Sequence, residues 1–72
     1  MEKQTFIDNM MERGYELRFG HSGNITATKG ENTVRLVPRA NIVYIATPTV
    51  TAITEKGVTD DETLRIVDGL TA

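Results

Sequence analysis

The feature that most constrains this chain is a change in the spacing of its apolar residues. Up to Gly14 they recur at helical intervals, from Tyr15 to Val37 they alternate, and after Thr59 the helical interval returns. A helix turns the same face to a core every third or fourth residue and a strand every second, so the two patterns exclude each other locally. The chain therefore reads as α+β: an N-terminal helix, an antiparallel β-meander of three to five strands and a C-terminal helix. With 72 residues it forms one domain, 1–72, with no room for a second core.

The first helical stretch is "TFIDNMMERG", residues 5–14, with Phe6, Ile7, Met10 and Met11 on one apolar stripe. Thr5 is the expected N-cap and Gly14 the residue just past the end, where a left-handed backbone is needed. "YELRF" then places Tyr15, Leu17 and Phe19 on one face, opposite Glu16 and Arg18. "GHSGN" and "KGEN" are turns, and between and after them "ITATK" and "TVRLV" bury Ile25, Ala27, Val34 and Leu36. "IVYIA", residues 42–46, is apolar on both faces. It is either central in the sheet or covers a partner. Pro48 interrupts the pattern, so "TVTAIT" suits an edge strand. In the last element, "TDDETLRIVDGL", Thr59 and Glu62 form a capping box, Asp60 and Asp61 complement the helix dipole, and Gly69 is the expected stop.

Composition narrows the function classes. There is no cysteine, which removes disulfide frameworks, zinc ribbons and thiol catalysis together. The apolar run "IVYIA" is far too short to span a bilayer, and "MEKQTF" has no apolar leader, so a cytoplasmic location is expected. The net charge of −2 gives no global drive toward nucleic acid. It conceals a segregation: residues 13–39 carry five cations against Glu16 and Glu31, while residues 55–72 carry Lys56 and Arg65 against five acids.

The only histidine, His21, sits in "RFGHSGNITAT". An imidazole titrates near neutrality and can act as general acid or base, with Ser22 or Arg18 at hand for a phosphate. The alternative is a solvated hairpin residue, and the absence of a second histidine rules out a two-histidine ribonuclease mechanism. No carboxylate set has metal-ligand spacing, so neither metal nor cofactor is expected. "FGHSGN" lacks the lysine and following helix of a phosphate-binding loop. Arg18, Lys29, Arg35 and Arg39 lie on or beside the polar face of the meander, where with the threonines they could meet a nucleic-acid backbone. With Tyr15 and Phe19 turned inward, however, that face would offer no aromatic platform for bases. If both helices cover one face, Val43, Ile45 and Val37 are left on the other, a row of β-branched residues suited to a protein partner or a homodimer.

The stretches "FIDNMMERGYEL", "GHSGNI", "TVRLVP" and "TLRIVDGLT" resemble the HicA family of toxin ribonucleases, small proteins with a double-stranded-RNA-binding-domain-like α-β-β-β-α fold. The resemblance implies RNA binding or cleavage with His21 as the catalytic histidine. The order here is Gly20-His21-Ser22 instead of glycine-serine-histidine, and "ANIVYIATPTVTAITEKGVTDD" separates the valine-proline from the closing helix. The same compact plan is similar to small inhibitors encoded by phages or mobile elements, such as some anti-CRISPR proteins, which occupy a surface of a larger target. The function expected first is a non-enzymatic binding or regulatory module acting through protein contact. The HicA-like reading stands second.

Overall fold

In the computed structural model, which describes residues 1–72, the chain runs α1 (Lys3–Glu12), β1 (Glu16–Phe19), β2 (Ile25–Lys29), β3 (Asn32–Val37), β4 (Ile42–Ala46), β5 (Thr51–Ile53) and α2 (Asp60–Leu70). The strands lie side by side in chain order, and every neighbouring pair is antiparallel. Tight turns impose that order, because a short connection returns the chain only beside the strand it has just left. The fold is α+β, as the spacing of apolar residues predicts, with the full five strands.

Helix α1 starts earlier than its capping pattern suggests. The Phe6 N–H donates to the Glu2 carbonyl at 3.0 Å, so Glu2 is the N-cap and Thr5 lies inside the first turn. At the other end Gly14 adopts φ +82°. The Gly14 N–H donates to the Met11 carbonyl and the Tyr15 N–H to that of Met10, each at 3.0 Å. This is the Schellman arrangement, which needs a left-handed residue between the last turn and the chain that leaves it. It drops Tyr15 back onto Met10, and both are buried. Tyr15 thus closes the helix and stands just ahead of β1.

Strand register then lines up one apolar face. Leu17, Ala27, Val34, Ile45 and Ala52 form one row across the sheet, and Phe19, Ile25, Leu36 and Val43 the next. Phe6 and Met10 of α1 and Val67 of α2 join the central members of these rows in a single core. Full burial of each such side chain stabilises by about 1.5–3 kcal/mol. Both helices therefore sit on the same side of the sheet. Met11, expected on the buried stripe, turns outward and is 63% exposed, since the helix centres Phe6 and Met10 on the sheet with Ile7 at the margin of the core. Phe19 keeps its inward register but is 67% exposed, because it stands at the end of an edge strand beyond the reach of the core.

Two polar devices complete the frame. The hydroxyl of Thr54 accepts from the Val43 N–H at 3.0 Å, and the Thr54 N–H donates to the Val43 carbonyl at the same distance. A side chain thus carries the β4–β5 ladder one step past the end of β5, in a buried place. The second device fastens α2. The Thr59 hydroxyl accepts from the Glu62 N–H at 3.2 Å, which is the N-cap half of the expected capping box; the Glu62 carboxylate does not return a bond to the Thr59 N–H. Farther along, Arg13 makes a two-pronged contact with Asp68, Nε to Oδ1 at 2.7 Å and Nη2 to Oδ2 at 3.0 Å. Gly69 does not stop the helix, which runs on to Leu70. Thr71 ends it by donating both its N–H and its hydroxyl to the Val67 carbonyl.

Replacing Thr54 by valine leaves the buried Val43 N–H unpaired and is expected to cost about 1–3 kcal/mol, while Thr54→Ser keeps the bond. Equal urea midpoints for the two variants would contradict this assignment. The hydrogen bond from Arg13 holds the Asp68 carboxyl below its usual range; desolvation opposes that shift and the charge of Arg13 adds to it. A carboxylate with a lowered folded-state pKa contributes stability above its unfolded value, about pH 4, and loses it as pH falls through the lowered value. Because Asp68 is about half exposed, the expected loss in Asp68→Asn at neutral pH is no more than about 1 kcal/mol. The gap between the two proteins should close in acid, as read from thermal melts at a series of pH values.

Candidate binding surface

The inner rows of the sheet have a counterpart on its other side. Arg18, Thr26, Arg35, Tyr44 and Ile53 face one another across all five strands. Glu16, Thr28, Thr33, Ala46 and Thr51 form the parallel row, and Val37 pairs with Ile42 beyond. No residue of this outer face is buried. Neither helix covers it. Its β1–β2 half is polar, as expected for a wet sheet face, whereas its β3–β5 half carries Val37, Ile42, Tyr44, Ala46 and Ile53. Ile53, on the edge strand, is 58% exposed. A shallow open depression of about 380 Å³ runs between Arg35, Val37, Ile42 and Tyr44.

Three of the expected contact residues, Val43, Ile45 and Lys29, are placed differently. Val43 and Ile45 are buried, 4% and 0% exposed, under the helices. The apolar surplus of "IVYIA" faces outward through Ile42, Tyr44 and Ala46 instead. The register of the hairpin accounts for this: alternation in "TVRLV" turns Val37 outward, and the four-residue connection makes Ile42 its partner. Val37 is on the outer face, as expected. Lys29 is not. It falls on the inward phase of β2, and its Nζ donates to the Arg13 carbonyl at 2.8 Å, at the C-terminal end of α1 where the helix dipole favours a cation.

Arg18 and Arg35 do lie on the outer face, and Arg39 lies in the turn that closes its Val37–Ile42 end. The Arg35 Nε donates to the Thr26 hydroxyl at 3.0 Å, and its guanidinium stands 6.0 Å from the Tyr44 ring centroid, within cation–π range. The remaining guanidinium nitrogens of Arg35 make no bond to the chain. The ion pairs of the protein are Arg13 with Asp68 and the terminal amine with Asp60, so Arg18, Arg35 and Arg39 have no carboxylate partner. Tyr44 thus gives the outer face an aromatic ring that the inward placement of Tyr15 and Phe19 would have denied it.

His21 stands in a single turn of 3-10 helix, His21–Gly23, in which Ser22 and Gly23 both take left-handed backbones, φ +66° and +79°. A Cβ added to Gly23 would lie 2.8 Å from the Lys3 Nζ, so the end of the Lys3 side chain rests against the turn. The imidazole projects into solvent and makes no side-chain hydrogen bond. No acid, base or orienting group is assembled around it. A larger cleft, about 520 Å³, lies where α1, the β2–β3 turn and α2 meet; Arg13 is engaged there with Asp68 and Lys29 with the Arg13 carbonyl, which leaves Glu31 as its one charged side chain without a partner. No group of three or more acidic or histidine side chains is disposed to hold a metal ion, and no helix is long and apolar enough to cross a membrane.

Comparisons with protein-family models, with curated proteins and with solved structures find no match to this chain.

A charge at Val43 has nowhere to go, so Val43→Lys is expected to abolish cooperative unfolding, whereas Ile53→Lys and His21→Ala should each shift stability by about 0.5 kcal/mol or less. Calorimetry of the three variants checks the assignment of inner and outer faces directly.

Proposed function

We propose that this chain is a cytoplasmic, non-enzymatic binding module that engages a partner protein through the uncovered outer face of its sheet. The observation that carries the reading is the apolar half of that face, where Val37, Ile42, Tyr44, Ala46 and Ile53 adjoin on three neighbouring strands. A sheet face that meets only water alternates polar side chains to its edge, and a contiguous apolar patch rimmed by polar residues is the usual mark of a protein contact. The rim here is Arg18, Arg35, Arg39 and the threonines of β2 and β3. Small inhibitors and regulators, including those of phages and mobile elements, act by such surface occupancy, and this chain has the size and open face to do so.

The homodimer version has less support. Stacking two copies outer face to outer face would bring Arg18 and Arg35 of one toward those of the other, with Glu16 the only acid on the face. Catalysis has less support still, because His21 is solvated and no second group is set beside it.

A photoreactive amino acid placed at Tyr44 in the cell of origin should form discrete adducts with another protein, and the same group at Glu12, exposed on α1, should not. Adducts of equal yield from both positions, or none from Tyr44, would overturn the reading.

A further inference from the structure

The charges of this protein are sorted by layer. The helices hold Asp8, Glu12, Asp60, Asp61, Glu62 and Asp68 against Lys3 and Arg65, an excess of four negative charges. The outer sheet face and its rim hold Arg18, Arg35 and Arg39 against Glu16. In a chain of net charge −2, the one surface without helical cover is therefore also the basic one. None of its three arginines has an internal carboxylate. Arg35 is moreover held in place by Thr26 and Tyr44, with its remaining nitrogens unbonded within the chain. Guanidinium groups fixed in this way accept a carboxylate with little further loss of freedom.

We infer that the occupant of the outer face is an acidic amphipathic helix of a partner protein, laid along β4 with its apolar stripe on Ile42, Tyr44 and Ile53 and its carboxylates toward Arg35 and Arg39. The inference rests on the docking function proposed above and specifies the partner. The lengths agree: β4 has five residues, about 16 Å of strand, and three turns of helix also measure about 16 Å. A helix is favoured over an added strand because an added strand would pair at the β1 or β5 edge and leave the apolar patch open. A nucleic acid would answer the arginines equally well, but Val37, Ile42, Ala46 and Ile53 offer a phosphate backbone nothing, and Tyr44 is the sole aromatic ring on the face. A second copy could present its own acidic α2, with exposed Ile66, to this face. That contact is head-to-tail, so it would build rings or open chains of copies.

The test uses two fluorescent helical peptides with identical leucine stripes, one otherwise glutamate-rich and one lysine-rich, titrated with the intact protein and followed by anisotropy. A labelled oligothymidine and sedimentation of the protein alone complete the set. The glutamate peptide should bind at least about tenfold more tightly than the lysine peptide, lose about tenfold in affinity between low salt and about 0.3 M salt, and lose a similar factor on Arg35→Glu. Arg35 is exposed and outside the core, and circular dichroism of the variant confirms that it folds. Equal binding of the two peptides would overturn the acidic-partner inference while leaving docking through this face intact, provided the Tyr44 adducts persist. Failure of both peptides together with absence of those adducts would remove the docking reading itself. Tighter binding of the oligothymidine would assign the face to nucleic acid, and concentration-dependent growth in sedimentation would assign it to a second copy. Either result overturns the inference.

Discussion

One core, shared by β3 and β4 with both helices, holds the rest of the molecule in place. Val34, Leu36, Val43 and Ile45 present a continuous apolar floor, and Phe6, Met10 and Val67 are the side chains that close it. Two helices of ten and eleven residues cover the central strands of one face, leaving Phe19 of the β1 edge exposed, and neither lies on the other face. Burial is therefore confined to a single face. This makes the chemistry of the outer face the free variable of the fold, because no packing requirement dictates what stands there.

The connections that serve this core also engage three charged side chains at the larger cleft. Arg13 leaves the end of α1 and grips Asp68 of α2, and Lys29 of β2 reaches the Arg13 carbonyl. Three elements are thereby pinned at one corner by groups that are then unavailable for a ligand. The larger cleft of the surface is the by-product of that lock. Of the arginines that remain unpaired, Arg65 stands on α2 and the other three, Arg18, Arg35 and Arg39, lie on or beside the outer face, Arg35 and Arg39 next to its apolar half. This coincidence of free guanidinium groups with uncovered aliphatic side chains is what a protein partner, more than a polyanion, would exploit.

Much of this was legible in the residues. The helical spacing of Phe6 and Met10, the Gly14 stop, the Thr59–Glu62 cap and the alternation of Ile25, Ala27, Val34 and Leu36 each rest on local physics, and each appears in the fold. The misplacements share a cause. Thr5, Met11 and Gly69 satisfied local rules that the real ends and buried line of their helices did not use. Phe19 alternates correctly, yet whether an inward residue is covered depends on how far the helices extend over the edge strand. Val43 and Ile45 could not be told from Ile42 and Tyr44 by composition, since a doubly apolar strand has no polar phase to mark its wet side. Only the pairing of Val37 with Ile42 breaks that symmetry.

The sequence by itself determined the order of elements, the period of each, and hence an α+β meander with one continuous apolar face, because propensity, capping and alternation act within a few residues of one another. The tertiary structure alone decided which phase of β4 is buried, that Lys29 serves α1 and not the outer face, and that Arg18, Thr26, Arg35, Tyr44 and Ile53 stand in one row. Those facts depend on strand register, which brings together residues far apart in the chain at the spacing of neighbouring strands, about 4.8 Å. The surface on which the function is proposed is written in that register. His21, the most conspicuous residue of the linear sequence, ends as a solvated tip on a turn shaped by two left-handed residues and closed by the bond from the Gly20 N–H to the Asn24 carbonyl.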